Sequence, residues 1–141
     1  MSGNLISTRN VSVEWGDCDP ADIVFYPNFF RWFDASTAHH FTAAGLSKNE
    51  LRTRLNVVGF PMRTTRADFH APAAYGEVVT IETEFVRFGR SSFDVEHRLK
   101  RGDTLCVEGF ETRVLVQRDE TGKLVPYAMP DNIKALFRTG G

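Results

Sequence analysis

The sequence predicts an α+β domain in which an antiparallel β-sheet wraps around one long central helix. A strongly apolar and aromatic segment of helical length begins at Pro27 and continues to Ala44. Four segments in which apolar and polar residues alternate come after it, each bounded by turn residues. A run of strands after one buried helix is typical of a domain that packs its helices on one face of a sheet.

Composition indicates one ordered domain over residues 1–141, because 42% of the chain is hydrophobic, 25% is charged and the formal net charge is −1. This charge gives no electrostatic basis for a nucleic-acid partner. No apolar run approaches the roughly 18 residues of a membrane span, and no apolar leader segment begins the chain. Cys18 and Cys106 lack the number and spacing of a disulfide framework or a zinc site. We therefore expect a cytoplasmic protein with reduced thiols.

The first elements are a strand and the central helix. Leu5–Trp15 alternates in a strand-like way and is ended by the turn residues of Gly16–Pro20. Pro27 suits the first turn of a helix, where its missing N–H costs little. Since apolar residues lie nearly all round the segment up to Ala44, this helix is predicted to be buried, with Gly45 as its C-terminal stop.

The later elements are one short helix, four strands and a final helical turn. Ser47 begins a capping box for a helix through Leu55, and Pro130 opens the last helical turn. The predicted strands are Val57–Phe69, Glu77–Phe88, Ser92–Lys100 and Thr104–Arg118. Pro61 predicts a sheet edge or a bulge, and a slip of the apolar pattern at Glu108–Glu111 predicts a bulge. A single sheet leaves edges to protect, so we expect self-association.

Two carboxylates, Asp17 and Asp19, stand just before the start of the central helix. The first turn of a helix has free N–H groups and a partial positive charge, which stabilise a developing oxyanion. A nearby carboxylate can then face the carbonyl that these groups polarise, which favours acyl-group hydrolysis. The alternative for Asp19 is that it only caps the Asp-Pro turn. Asp17 is interpreted as support for the loop.

The residues around this turn resemble the hotdog-fold acyl-CoA thioesterases, and within them the 4-hydroxybenzoyl-CoA thioesterase branch. The matching residues are Gly16–Ala21, Ile23-Val24, Tyr26–Asn28 and Arg31–Ala35, with Ile81–Thr83 and Ser92-Phe93 further along the chain. The resemblance implies a curved antiparallel sheet around one helix, homodimers that share a sheet, and often homotetramers. It also implies thioester cleavage by water without a metal or a cofactor, CoA being part of the substrate and product.

The resemblance assigns roles to individual positions. Asp19 matches the catalytic carboxylate, as nucleophile or general base, and the N–H of Tyr26 matches the oxyanion donor. Asp34 matches the aspartate that contacts the phenolic hydroxyl of an aromatic acyl group; the alternative is a hydrogen bond at the helix surface or an interface. The hairpin positions that contact CoA in the resembled branch are occupied here by Arg90, Ser91 and Ser92. The alternative is that these residues form only a simple turn. Asp22 departs from the branch, which commonly has glycine there.

The other candidates have a structural alternative beside the functional one. The aromatic residues predicted to line an acyl pocket, or else to belong to the core, are Phe25, Trp32 and Phe60. Cys18 lies between two acids, which suppress its thiolate, so we interpret it as a small buried residue. The four histidines lack metal-ligand spacing, and His97 alternates with apolar residues as a core histidine does.

The sequence therefore favours an acyl-CoA thioesterase that prefers an aromatic acyl group, with short aliphatic groups next. A non-catalytic acyl-CoA-binding hotdog module is the alternative from another class, and it has no need of Asp19. A hotdog hydratase or dehydratase requires an aspartate and a histidine side by side, and the sequence places no histidine for it.

Overall fold

The computed structural model describes residues 3–139, in which a five-stranded antiparallel sheet of order β2-β4-β5-β6-β3 packs against one long helix. Its elements in chain order are β1 Gly3–Asn4, β2 Ile6–Ser12, a 3₁₀ turn Trp15–Asp17, α1 Pro27–Ala43, α2 Lys48–Leu55, β3 Met62–Phe69, β4 Val78–Phe88, β5 Ser92–Arg101, β6 Thr104–Val114, β7 Val116–Arg118, β8 Leu124–Pro126, α3 Asp131–Lys134, a 3₁₀ turn Ala135–Phe137, and β9 Arg138–Thr139. Two small sheets pair β1 with β9 and β7 with β8. The predicted α+β fold class is confirmed.

The central helix α1 has the predicted signals at both ends. Pro27 occupies its first turn, and Gly45 follows its C-terminus with a φ of +91°, a left-handed conformation that costs glycine little. The next helix, α2, begins as predicted, with the Ser47 hydroxyl accepting a hydrogen bond from the Glu50 N–H. The side chains of α1 that are buried against the sheet are Phe29, Trp32, Phe33, Ser36, Thr37, His40 and Phe41.

Strands β4 and β5 confirm the predicted alternation, with every second residue buried under α1. Strand β3 starts later than predicted, at Met62 instead of Val57. The reason is that the preceding segment pairs with another part of the chain: the Val58 N–H donates to Val116 O, and the Val116 N–H donates to Gly59 O. Among the strands of residues 3–139, β3 pairs with β6 alone, so it is an edge strand, as Pro61 predicted.

The predicted bulge at Glu108–Glu111 is wrong. The register from β5 to β6 is continuous there, and the irregularity lies between Leu99 and Lys100. The apolar pattern slips for another reason: Gly109 and Glu111 fill the inward positions, whereas Phe110 points outward. A Cβ on residue 109 would lie 2.6 Å from the Phe33 ring, so only glycine fits at that inward position.

The apolar core has two parts, one packed around the N-terminal half of α1 and one around its C-terminal half. Between them lies a cluster of buried polar side chains formed by Thr37, Thr83, His97, Glu111 and Arg113. Within residues 3–139, no helix is long and apolar enough to span a membrane. The cytoplasmic location expected from the sequence stays a prediction.

Candidate active site

The loop before α1 fixes Asp19 by three short hydrogen bonds. Its N–H donates to Ile23 O at 2.9 Å, and its C=O accepts from the Asp22 N–H at 2.9 Å. One side-chain oxygen, Oδ1, accepts from the Ala21 N–H at 2.9 Å. The expected turn-capping role is therefore present, but it occupies only one carboxylate oxygen. Oδ2 has no hydrogen-bond partner among residues 3–139 and remains available to a ligand.

The same loop explains why Asp22 stands where the resembled branch commonly has glycine. Asp22 has a φ of +64°, in the left-handed region that favours glycine. Aspartate is one of the few other residues that adopts this conformation at modest cost. The carbonyl of Asp22 accepts a hydrogen bond from the Tyr75 N–H at 3.2 Å. The departure from glycine thus preserves the turn and adds a negative charge beside it.

The start of α1 presents a free backbone N–H. The carbonyl of Asp17 accepts from both the Phe25 N–H at 2.9 Å and the Asn28 Nδ2 at 2.8 Å, which holds the loop against the helix. Pro27 has no N–H, and the N–H of Tyr26 has no acceptor within the part of the chain that the structure describes. An unpaired N–H at a helix start is suited to bind an anionic oxygen.

One cavity of about 480 Å³ brings these groups together. Its lining residues are Asp19, Ile23, Val24, Phe25, Tyr26, Phe29, Phe69, His70, Ala71, Pro72 and Ala73. Three of the residues predicted from the sequence, Asp19, Phe25 and Tyr26, therefore share one site. Phe25, Tyr26 and Phe69 are each more than half exposed at its rim. Such an exposed aromatic patch indicates a surface that a ligand or another protein covers.

Asp17 supports the loop, as expected. Its Oδ2 accepts from the Glu14 N–H at 2.9 Å, and its Oδ1 pairs with the Arg31 guanidinium at 3.2 Å. Cys18 beside it is half-buried instead of buried. Desolvation, followed by the charges of Asp17, Asp22 and Asp19, raises the pKa of the Cys18 thiol. This environment disfavours a thiolate nucleophile.

Asp34 lies outside the Asp19 cavity of the same chain. Its Oδ1 accepts from Arg113 Nη2 at 2.8 Å, and its side chain is 65% exposed whereas that of Arg113 is 4% exposed. The Arg113 guanidinium also lies over the Phe60 ring, 5.3 Å from its centre. Arg113 and Phe60 line a second, larger cavity of about 690 Å³ beside α1 and α2. Trp32, in contrast, is buried in the core, edge-to-face with Phe29.

His97 is a satisfied core histidine, as the sequence predicted. Its Nδ1 lies 2.8 Å from the Thr83 hydroxyl and its Nε2 lies 3.0 Å from Glu111 Oε2. Glu111 also accepts from Thr37 at 2.7 Å and from Arg113 at 2.6 Å. Burial alone would raise the pKa of Glu111, but the hydrogen bonds and charges of His97 and Arg113 outweigh burial and lower it. This network links the core to the exposed carboxylate of Asp34.

The hairpin predicted to contact CoA lies at the other end of α1. The carbonyl of Arg90 accepts from the Met129 N–H, and that of Ser91 accepts from the Leu115 N–H. Met129 and Leu115 belong to the core around the C-terminal half of the helix. Asp19 precedes the N-terminus of this helix, whose 17 residues span about 25 Å. One chain therefore does not bring Arg90, Ser91 and Ser92 to the Asp19 cavity.

Sequence reasoning missed His70 as a site residue. It follows β3 directly and lines the same cavity as Asp19, with its Nε2 2.9 Å from Glu108 Oε1 on β6. No local sequence motif identifies His70, because it reaches the cavity only through the register that pairs β3 with β6. Within residues 3–139, no three His, Cys, Asp or Glu side chains form a group able to hold a metal ion.

Comparisons with known proteins show the family to which the chain belongs. The profile of the thioesterase-like superfamily matches residues 13–137. The 4-hydroxybenzoyl-CoA thioesterase of Pseudomonas sp. (strain CBS-3) is 36% identical over 118 residues, which are 79% of this chain and 84% of that protein. A crystal structure of a 4-hydroxybenzoyl-CoA thioesterase mutant complexed with 4-hydroxybenzoyl-CoA superposes with a TM-score of 0.84 at 34% identity, covering 94% of this chain and 98% of that one. A gentisyl-coenzyme A thioesterase superposes with a TM-score of 0.78 at 30% identity, covering 91% and 99%.

Proposed function

The chain belongs to the thioesterase-like superfamily and is an acyl-CoA thioesterase with the hotdog fold, and we propose that its substrate carries an aromatic, 4-hydroxybenzoyl-like acyl group. The products are the free acid and CoA. The observation that carries the catalytic assignment is that Asp19 and Tyr26 line one cavity, and that the Tyr26 N–H has no acceptor among the described residues. The alternative of a non-catalytic acyl-CoA-binding module requires neither group.

In the proposed reaction the thioester carbonyl oxygen accepts a hydrogen bond from the Tyr26 N–H. Negative charge develops on this oxygen when the carbonyl carbon is attacked, so the N–H and the positive end of α1 stabilise the transition state more than the substrate. Loss of one such donor costs other hydrolases about 10²–10³ in rate. Asp19 either attacks the carbonyl carbon itself or takes a proton from the attacking water.

A second copy of the chain is proposed to complete the site. One side of β3 has no strand partner in the described part of the chain, and seven of its eight residues are exposed. The residues that follow it, Phe69 through Ala71, line the Asp19 cavity, so the cavity adjoins this free edge. Pairing of two β3 edges covers both the edge and the aromatic rim. We propose a homodimer of this kind, or a homotetramer of two such dimers, in which the second copy supplies Asp34 and the Arg90–Ser92 hairpin.

The preference for a hydroxylated aromatic acyl group is proposed from the surroundings of Asp34. The buried Arg113 holds this carboxylate at 2.8 Å, so it is fixed in place while staying mostly exposed. A phenolic hydroxyl can donate a hydrogen bond to such a carboxylate. The adjacent cavity is lined largely by apolar side chains, Phe60 among them, which suits a flat ring better than a short aliphatic chain.

The proposal is tested by thiol release from a panel of CoA esters with the purified protein. The panel contains the 4-hydroxybenzoyl, benzoyl, phenylacetyl, acetyl and butyryl esters. We expect the highest kcat/KM for 4-hydroxybenzoyl-CoA, with the aliphatic esters at least about 10-fold lower, because a ring and a hydroxyl each add binding contacts worth about 1 kcal/mol or more. A preference for acetyl- or butyryl-CoA contradicts the aromatic proposal. Tight binding without hydrolysis of any ester contradicts the assignment of a catalytic role to Asp19.

A further inference from the structure

His70 is held firmly at the Asp19 cavity. Its backbone N–H donates to Cys106 O at 2.7 Å, and the next N–H, of Ala71, donates to the same oxygen at 3.1 Å. These bonds extend the pairing of β3 and β6 past the end of the strand. The preceding Phe69 contacts Phe29 of α1, with ring centres 5.9 Å apart. The backbone at His70 is therefore set by the sheet, and the residue before it packs on the same helix whose start presents Tyr26.

Glu108 orients the His70 ring. The 2.9 Å contact joins Nε2 of His70 to a carboxylate oxygen, which accepts the Nε2 hydrogen. In the neutral imidazole this tautomer leaves a lone pair on Nδ1. Nδ1 has no hydrogen-bond partner among residues 3–139. A carboxylate behind one nitrogen and a free second nitrogen are the arrangement by which an imidazole accepts a proton.

The cavity offers few other groups for proton transfer. Its titratable side chains are those of Asp19, Tyr26 and His70. The Tyr26 hydroxyl carries a proton of its own and has no basic nitrogen to accept another. If Asp19 forms a covalent bond to the acyl group, its own carboxylate is consumed. Of the three titratable side chains that one chain contributes among its described residues, His70 then remains to activate water.

We infer that His70 is a second catalytic residue, the general base that takes the proton of the hydrolytic water while Asp19 is the nucleophile; this inference rests on the proposed function. First, an Asp19 oxygen bonds to the thioester carbonyl carbon, and the C–S bond breaks to release the CoA thiolate. Water then attacks the acyl carbonyl carbon of the mixed anhydride and gives its proton to His70 Nδ1. The bond from the acyl carbon to the Asp19 oxygen breaks, which frees the acid, and His70 passes its proton to the thiolate.

The test compares the first and later turnovers of His70→Gln with those of the unmodified protein, using 4-hydroxybenzoyl-CoA and a thiol reagent. Glutamine keeps a hydrogen bond to Glu108 but accepts no proton at neutral pH. We expect a burst of about one CoA per active site, followed by turnover at least about 10²-fold slower, because general bases contribute about 10²–10⁴. Mass spectrometry of the quenched protein should find the acyl group on the peptide that contains Asp19.

A control variant and a rescue separate a chemical role from a structural one. Lys100→Gln removes one partner of another ion pair, 3.2 Å from Glu82 and outside the cavity, and should keep normal turnover. Imidazole added to His70→Ala should restore turnover in proportion to its concentration, with Asp19→Asn as the blank for hydrolysis by imidazole alone. If His70→Gln folds poorly, the imidazole rescue of His70→Ala tests the role of His70 as a base in its place.

The outcomes distinguish this inference from the proposed function. Normal steady-state turnover of His70→Gln, while the unmodified protein hydrolyses the ester, overturns only the role of His70. Loss of the burst as well as of turnover in a folded variant overturns it too, because His70 would then act before Asp19 is acylated. Absence of hydrolysis by the unmodified protein for every ester overturns the proposed function itself.

Discussion

Glu111 Oε2 lies 3.0 Å from His97 Nε2, and both side chains are buried between α1 and the sheet. Glu111 also accepts a hydrogen bond from Arg113, whose Nη2 donates to Asp34.

Removing one partner of a buried ionic network leaves the other charges without compensation, at a cost of about 3–5 kcal/mol. We therefore expect Glu111→Ala to lower the free energy of unfolding by that amount, measured in urea. Glu82→Ala, which removes a partly exposed carboxylate paired with Arg98 and Lys100, should cost about 1 kcal/mol or less. Equal losses would contradict the importance of the buried network.

Gly109 provides the space that the Phe33 ring occupies. A Cβ at residue 109 would stand 2.6 Å from two ring carbons, and the ring is fixed by stacking on His97 with centres 4.7 Å apart. We expect Gly109→Ala to lower the free energy of unfolding by about 1–3 kcal/mol, the usual cost of overpacking a core. Gly59→Ala is the matched control, because its Cβ meets open space and should change stability by about 0.5 kcal/mol or less. If Gly109→Ala left the free energy of unfolding unchanged, the Phe33 ring would be free to move aside.

His40 makes stability depend on pH. It is fully buried, its Nδ1 lies 2.6 Å from the Ser7 hydroxyl, and its Nε2 has no partner among the described residues. Burial, with smaller effects of His97 and His39, lowers the pKa of His40 to about 4. The folded state thus binds this proton more weakly than the unfolded chain, whose histidine has a pKa of about 6.5. Stability is therefore lost as the pH falls from about 6.5 toward 4.

The loss that His40 causes between pH 7.5 and 5 should be about 2 kcal/mol. Urea unfolding of His40→Gln at both pH values should show a correspondingly smaller decline than the unmodified protein. His39→Gln removes an exposed neighbour whose effect on the pKa of His40 is the smallest of the three, and it should keep most of the decline. Identical declines for His40→Gln and the unmodified protein would show that His40 is protonated in the folded state.

Asp34→Asn tests the proposed recognition of a phenolic hydroxyl. A hydrogen bond to a charged group contributes about 1.5–3 kcal/mol, so kcat/KM for 4-hydroxybenzoyl-CoA should fall by about 10- to 100-fold. Benzoyl-CoA, which lacks the hydroxyl, serves as the internal control because any effect of losing the Arg113 pair acts on both esters. A similar fall for both esters would assign Asp34 a structural role only.

Local signals predicted much of the fold. Pro27 and Gly45 fixed the ends of α1, and two-residue alternation identified β4 and β5, because each depends on neighbouring residues alone. The bulge at Glu108–Glu111 was a wrong prediction because the pattern assumes an apolar residue at each inward position. Gly109 occupies one such position because the Phe33 ring fills the space beside it, and Glu111 occupies another because it binds His97. Neither partner is a sequence neighbour, so the local pattern does not reveal the contact.

The site was predictable where it is local and unpredictable where strands assemble it. Asp19 and Tyr26 lie within one loop and one helix start, so a short motif identifies them. His70 reaches the same cavity only through the register of β3 and β6, which no short motif encodes. Asp34 and Arg90 lie elsewhere on a single chain, and their assigned roles depend on a second copy. The resemblance supplied those two residues, and their roles stay predictions.

The most direct measurement of the central claim is hydrolysis of 4-hydroxybenzoyl-CoA by Asp19→Asn beside Asp103→Asn, with binding of the ester measured by calorimetry. Asp103 is an exposed aspartate in the β5–β6 turn and has no part in the cavity. An amide can neither attack the carbonyl carbon nor take a proton from water, so we predict that kcat of Asp19→Asn falls by at least about 10² while the Kd stays within a few-fold. Asp103→Asn should behave as the unmodified protein. Turnover of Asp19→Asn within about 3-fold of Asp103→Asn would contradict the catalytic role of Asp19.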